Sequence, residues 1–426
     1  MCEAKVDGGR RCPGCQAAGR RERRALARAA RLPRQAVQDR PPAFQDDWLP
    51  PDGPGDPTAA SRETAIWIAG RPAPAWQADD DADEHDGPGD PTAAAVLAAR
   101  QAVDAADVRG WDRPDRFARR HRAPTAAALA AEAAVRRAGA AAEARIDRLA
   151  APAVRKVIGD RRTVAAWVGS VVVDAERERD IWAAARTRGD RPAGEAAAAR
   201  FAAIVVRLRA GQAKIVSGRR DALHVVLAEQ GVRTGAKTEL TGHPGVAAVV
   251  VEAGREMPST WVARSAGTSP TRPPLTVATA PTRGGYSYAG GELTIGVDGD
   301  PATRRSTATH ELGHRMVATT PALQGLSVTH HHVRVDRGRD LEPVVQIPEH
   351  PPGELGQLDH YGIAYAGKLY TGSPERVGIH DGSELLPIGL QALQHGDFGA
   401  LRGDGDTGCE DPELRHWTLG VLLAVR

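Results

Sequence analysis

From residue 125 onward the apolar positions of the chain fall mainly at helical spacing. Thr125 follows Pro124 and opens an alanine-rich run to about Ala150, which Pro152 is expected to end. A second run, Val154 to Arg186, carries Val157, Val164, Trp167, Val168, Val171, Ile181 and Trp182. A third, from about Glu195 to Gln230, carries Phe201, Ile204, Val205, Leu208, Leu223, Val226 and Leu227, and Gly189-Asp190-Arg191-Pro192 separates it from the second. Apolar residues at these intervals, with arginines between them, describe helices with one buried stripe and one solvated face. The pattern predicts an antiparallel helical hairpin or small bundle over 123–235.

Past residue 235 the pattern becomes mixed. Val246 to Met257 reads as a helix closed by Pro258-Ser259-Thr260-Trp261-Val262, and a Pro/Thr-rich loop follows. Gly284 to Ile295 reads as strand, Gly-Gly turn, strand. Gly299-Asp300-Pro301 ends this hairpin, and a helix begins within a few residues, with Ser306 as its expected N-cap. Ser327 to Val335 and Leu341 to Ile347 look strand-like, and Tyr361 to Tyr370 is an aromatic stretch. Ser383 can cap a further helix in which Pro387 falls in the first turn, and Leu386, Leu390 and Leu393 give that helix a core face. A last helix runs from Pro412 through Trp417 to Leu423. The fold class expected for 236–426 is therefore α+β.

Composition changes the picture most at the N-terminal end. Residues 1–40 hold 11 Lys/Arg against 4 Asp/Glu, a basic tail that also contains Cys2, Cys12 and Cys15. Cys12-Pro13-Gly14-Cys15 has the spacing of a zinc knuckle, but no fourth ligand follows it nearby. If the knuckle forms, the adjacent arginines suit weak phosphate contacts with nucleic acid. Residues 41–122 reverse the sign, with 12 Asp/Glu and 2 Arg between Gln45 and Asp90. Within them Asp52 to Ala60 recurs letter for letter as Asp86 to Ala94, and the stretch reads as a largely disordered Gly/Pro-rich linker with Trp48, Trp67 and Trp76 as docking points. The 426-residue chain as a whole is nearly neutral, with 56 Lys+Arg and 54 Asp+Glu, so no global field argues for nucleic acid or a membrane. No apolar run reaches the ~18 residues of a membrane span, and the first residues lack the apolar core of a signal peptide. The default expectation is a cytoplasmic protein, with signal-independent export or association with a particle as the alternatives.

The candidate chemistry lies in Ser306 to Met316, which contains His310-Glu311-Leu312-Gly313-His314. Residues four apart share a helix face, so both imidazoles can reach one zinc ion. Glu311 stands one residue on, close enough to polarise a metal-bound water. Arg315 reads as an ordinary solvent-facing residue. A catalytic zinc site needs three protein ligands and an open position. A third histidine six residues on is excluded, because Val317 and Thr320 stand where Gly and His are wanted.

A carboxylate from a later helix is the alternative, and Glu384 is preferred among Glu342, Glu349, Glu354, Glu375 and Glu384. It alone opens a capped apolar helix, which would hold it rigidly. The rival is His330-His331-His332, where His330 and His332 would share a face if the segment were extended. His350, His360, His380 and His395 lie in Gly/Pro-rich stretches without a pairing signal. Asp404-Gly-Asp406 fails as a calcium loop because Cys409 and Arg415 occupy its glycine and terminal glutamate positions. An edge strand placed just before a metal helix can pair with an extended peptide.

These residues resemble the zincin metallopeptidases, specifically the gluzincin arrangement of H-E-x-x-H with a distant glutamate. Tyr286-Ser-Tyr288, the His310–His314 motif, the tyrosine-rich stretch and Glu384-Leu-Leu are also loosely similar to metallopeptidase-like domains of phage and mobile-element proteins. The resemblance spans roughly 240–426. It implies zinc held by His310, His314 and Glu384, Glu311 as general base, and a peptide or protein substrate. It also implies a Tyr or His that stabilises the oxyanion, for which Tyr370 and His380 are the candidates. Two other readings stay open. One is a structural or interaction protein of a phage-like or mobile element with a non-catalytic zinc site. The other is a nucleic-acid binder acting through the basic tail.

Overall fold

A computed structural model describes residues 90–106, 124–161, 164–266, 274–280, 284–287, 291–296, 301–335, 344–347, 354–357, 364–369, 384–395 and 411–426. All of them fall within one unit, Thr58–Arg426. The cysteine-containing basic tail, Trp48, Trp67, Trp76, Tyr370, His380 and Asp404-Gly-Asp406 lie outside the described residues.

The first four helices are α1 (Pro91–Ala105), α2 (Ala126–Ile158), α3 (Val164–Arg188) and α4 (Arg191–Glu229). The expected helical region is present, with three corrections. The linker reading of 41–122 does not hold over 91–105, because α1 forms there and buries Val96, Ala99 and Val103 against α2. Its start is capped: the Asp90 side chain accepts from the Thr92 N–H at 2.9 Å, and Pro91 occupies the first turn. Second, α2 does not stop at Pro152 but runs on to Ile158. The missing N–H leaves one carbonyl, that of Arg148, without its helical partner. Burial of Val154 and Ile158 with Trp167, Val168, Leu208 and Ile215 offsets that cost. Third, the run from Val154 to Arg186 is two helices, broken after Ile158 by Gly159 at φ 60°.

Next come β1 (Thr241–Gly242), α5 (Pro244–Arg255), α6 (Ser259–Ala266), β2 (Thr276–Ala280), β3 (Gly285–Ser287) and β4 (Glu292–Gly296). The Pro/Thr-rich loop thus contains a strand, and the Pro258–Val262 segment begins a helix. The sheet order is β1-β2-β4-β3; β3 lies at an edge, antiparallel to β4, while the other neighbours are parallel. The rest is α7 (Pro301–Thr319), α8 (Pro321–Val335), a small antiparallel sheet of β5 (Val345–Gln346), β6 (Leu355–Gly356) and β7 (Lys368–Leu369), then α9 (Leu385–His395) and α10 (Pro412–Ala424).

The division at residue 235 does not separate two cores. One apolar cluster joins Val96, Val135 and Leu227 to Leu293, Leu312, Leu386 and Trp417. Helix α10 packs along α2 so closely that a Cβ on Gly139 would sit 1.6 Å from the His416 carbonyl oxygen. Around that seam, Glu143 of α2 receives Arg415 Nε at 2.5 Å, His416 Nε2 at 2.6 Å and Arg219 Nη2 at 3.2 Å. Burial alone would raise its carboxyl, but the His416 hydrogen bond and the Arg415 and Arg219 guanidiniums outweigh burial and hold it far below the usual carboxylate range. The chain end is fastened as well: Trp261 Nε1 donates to the Val425 carbonyl at 3.0 Å. Among the described residues, the class is mostly helical with a small sheet, and no helix is long and apolar enough to cross a membrane.

Candidate metal centre

Helix α7 starts at Pro301, so Ser306 lies inside it rather than at its N-cap. The helix places His310 and His314 on one side, their rings edge to face with centroids 5.0 Å apart. Helix α9 meets it at Gly313, where a Cβ would come within 2.8 Å of Pro387 Cα. That contact is the reason a glycine suits the second variable position of the motif. It also sets the first turn of α9, and hence Glu384, against the histidine face. Glu384 stands at the N-cap position, its carbonyl accepting from the Ile388 N–H at 3.0 Å.

The Glu384 carboxylate lies 3.1 Å from His310 Nε2 and 3.3 Å from His314 Nε2, both measured to Oε2. Donors about 2 Å from a tetrahedral ion stand ~3.3 Å from one another. The pair of distances therefore fits a shared metal ion, and the three donor atoms lie within 4.8 Å of one another. Two nitrogens and one carboxylate oxygen leave a fourth position for water or substrate. Glu384 is fully buried and His314 nearly so, whereas the His310 side chain keeps 14% of its surface exposed, giving the group one open flank.

These groups lean on each other. Burial alone would lift the Glu384 carboxyl, but the His314 and His310 imidazoles outweigh it and hold the carboxyl well below its usual range. Burial likewise pushes the His310 imidazole down, and the Glu384 contact more than reverses this, so its pKa is raised. A metal ion would take over the role of the protons.

Glu311 is buried and faces the sheet, beside the start of the edge strand. A Cβ on Gly284 would meet Thr307 Cγ2 at 2.4 Å and stand 3.4 Å from Glu311 Oε1, so only glycine lets β3 lie this close to α7. Arg315 is the clearest correction here. It is 1% exposed, donates to the Ser265 carbonyl at 2.8 and 3.2 Å, and reaches the Tyr286 hydroxyl at 3.1 Å. The guanidinium thus ties α7 to the end of α6 and to the edge strand.

The family-model, curated-protein and solved-structure comparisons all returned no match to this chain.

The rival histidines are placed elsewhere. Ser327 to Val335 belongs to helix α8 rather than a strand, so the alternation that would pair His330 with His332 does not exist. His330 contacts Glu132 of α2 at 2.8 Å and stacks on Trp417 at 4.9 Å, and His331 contacts Gln357 at 3.1 Å. Glu354 pairs with Lys368 at 3.3 Å. Glu342, Glu349, Glu375, His350 and His360 lie outside the described residues, as do Tyr370 and His380. His395 is the last residue of α9, with Nε2 2.6 Å from Thr309 Oγ1. Val317 and Thr320 are buried, consistent with core rather than ligand positions.

Sequence reasoning passed over Gln391. Its Oε1 lies 3.2 Å from His310 Nδ1, and its Nε2 donates to Ser306 Oγ at 2.8 Å. The available signal was spacing: Gln391 follows Glu384 by two helical turns, so a helix that aims Glu384 at the histidines aims Gln391 there too.

Proposed function

We propose that this chain is a zinc-dependent metallopeptidase with a gluzincin-like site, hydrolysing peptide bonds in a peptide or protein substrate. The observation that carries the reading is Glu384, remote in sequence, meeting both imidazoles of the His310–His314 motif through one oxygen. Three ligands and an open fourth position are the donor set of catalytic rather than structural zinc. When bound, zinc supplies a Lewis acid that polarises water and the scissile carbonyl at neutral pH.

The chain's own residues supply the rest. Glu311 accepts the proton of the attacking water and returns it to the leaving amine. Strand β3, at the sheet edge among the described residues, is where an extended substrate would run, and Gly284 keeps that strand against α7, beside Glu311. Arg315 braces the same strand through Tyr286.

Glu311→Gln keeps the ligand set and removes the base. It should retain one zinc per chain, measured by elemental analysis, and lose ~100- to 10,000-fold in peptide cleavage. Equal cleavage by the variant would sink the assignment of Glu311. The rival reading is a structural or interaction protein that carries the same donor set without turning over substrate. Wild-type protein that binds zinc yet cleaves no member of a broad peptide library would favour that interaction role, with the zinc site non-catalytic.

A further inference from the structure

The structure assigns Gln391 and Ser306 as a relay that orients the first metal ligand. An imidazole can offer its Nε2 lone pair to a metal only if the remaining proton sits on Nδ1. Which nitrogen carries that proton depends on what the other ring atom meets. In this site His310 Nδ1 faces Gln391 Oε1 at 3.2 Å, while Nε2 points at Glu384.

A carboxamide does not by itself choose between presenting its oxygen or its nitrogen. Here the Gln391 NH2 group donates to Ser306 Oγ at 2.8 Å, and the amide oxygen is the atom that faces His310. Ser306 precedes His310 by four residues and therefore lies one helical turn before it, in reach of the same side chain on α9. The relay is neutral throughout. It fixes the tautomer and ring plane of His310 without adding negative charge to the ligand set, which a carboxylate in the same place would do.

Gln391 is thus a positioning residue, and the inference rests on the metal site proposed above. Two variants test it, with zinc affinity read by chelator competition and cobalt(II) substitution as a second readout. Gln391→Met keeps the volume and removes both hydrogen bonds; it should weaken zinc binding ~10- to 100-fold, the range found when an outer partner of a ligand is lost. Gln391→Glu still accepts from Nδ1–H and should restore the affinity at least to wild type. In the cobalt-loaded protein the exchangeable Nδ1–H proton of His310 should be visible by NMR in wild type and in the Glu variant, and lost or fast-exchanging in the Met variant.

Wild-type affinity together with an unchanged Nδ1–H signal in Gln391→Met overturns the relay. If wild type binds zinc but cleaves nothing, the peptidase reading falls while the affinity ratio still decides the relay. If wild type binds no zinc, both fall.

Discussion

Among the described residues, buried histidine is paired with buried glutamate in two places, and the two are built for different ends. At α7 and α9, one carboxylate oxygen of Glu384 meets two imidazoles, and a third group, Gln391, holds one of them from behind. At α2 and α8, His330 meets Glu132 alone at 2.8 Å, with the ring laid flat on Trp417 at 15°. The first arrangement converges several donors on one point and leaves a flank open. The second is sealed: His330 and Glu132 are 0% and 1% exposed, and the glutamate also takes Arg136 Nε at 2.6 Å. Convergence plus access, rather than a His–Glu contact as such, marks a site. A one-to-one pair between helices is a strut that fixes how α8 lies on α2.

Removing the glutamates separates the two most sharply. Glu384→Ala deletes a proposed ligand, so zinc affinity should fall by more than the ~100-fold typical of losing an outer partner, as measured by chelator competition. Glu132→Ala should leave zinc affinity unchanged and instead lower stability by ~3 kcal/mol, because it leaves a buried imidazole and a cavity without compensation. Chemical denaturation checks this. If Glu132→Ala lost zinc while folded, or Glu384→Ala kept it, the distinction drawn between the two pairs would be wrong.

The same contrast explains what could be read from the letters. His310-Glu311-x-x-His314 was legible because its chemistry demands a fixed spacing on one helix. Glu384 was legible because the apolar helix it opens is a local signal, although Glu384 itself, not Ser383, takes the N-cap position. The α8 histidines were misread because three adjacent polar rings hide the apolar stripe of Leu323 and Leu326, so the period looked like that of a strand. Arg315 was unreadable for another reason. Its burial depends on the Ser265 carbonyl and the Tyr286 hydroxyl, which come from α6 and β3, and nothing near Arg315 in sequence announces them. Helix α1 had its signal in plain view, an Asp-Pro pair ahead of Val96, Ala99 and Val103. The acidic, proline-rich context outweighed it. Its burial is likewise tertiary, with Arg100 donating to the carbonyls of Leu423 and Gln230.

Acid should reveal a finer difference among the histidines. Burial holds His395 down to about 4 and also places His330 below its ordinary range, whereas His310, facing Glu384, is raised in the metal-free protein. A depressed histidine binds fewer protons folded than unfolded, so its contribution to stability is complete above the unfolded value of 6.5. That contribution is lost as pH falls through 6.5 toward 4. A raised histidine does the reverse: its contribution is present below the unfolded value and fades as pH rises through the folded one. For His395 the loss is at most ~3 kcal/mol, since each pKa unit is worth ~1.4 kcal/mol and the ring is partly open to water. Denaturation midpoints of the metal-free protein should therefore fall between pH 6.5 and 4. His395→Asn should flatten that limb while lowering stability somewhat at pH 7, through the lost contact with Thr309. His310→Asn should leave the acid limb standing, and a flattened limb in that variant instead would mean that the metal-site histidine, not the buried ones, carries the acid sensitivity.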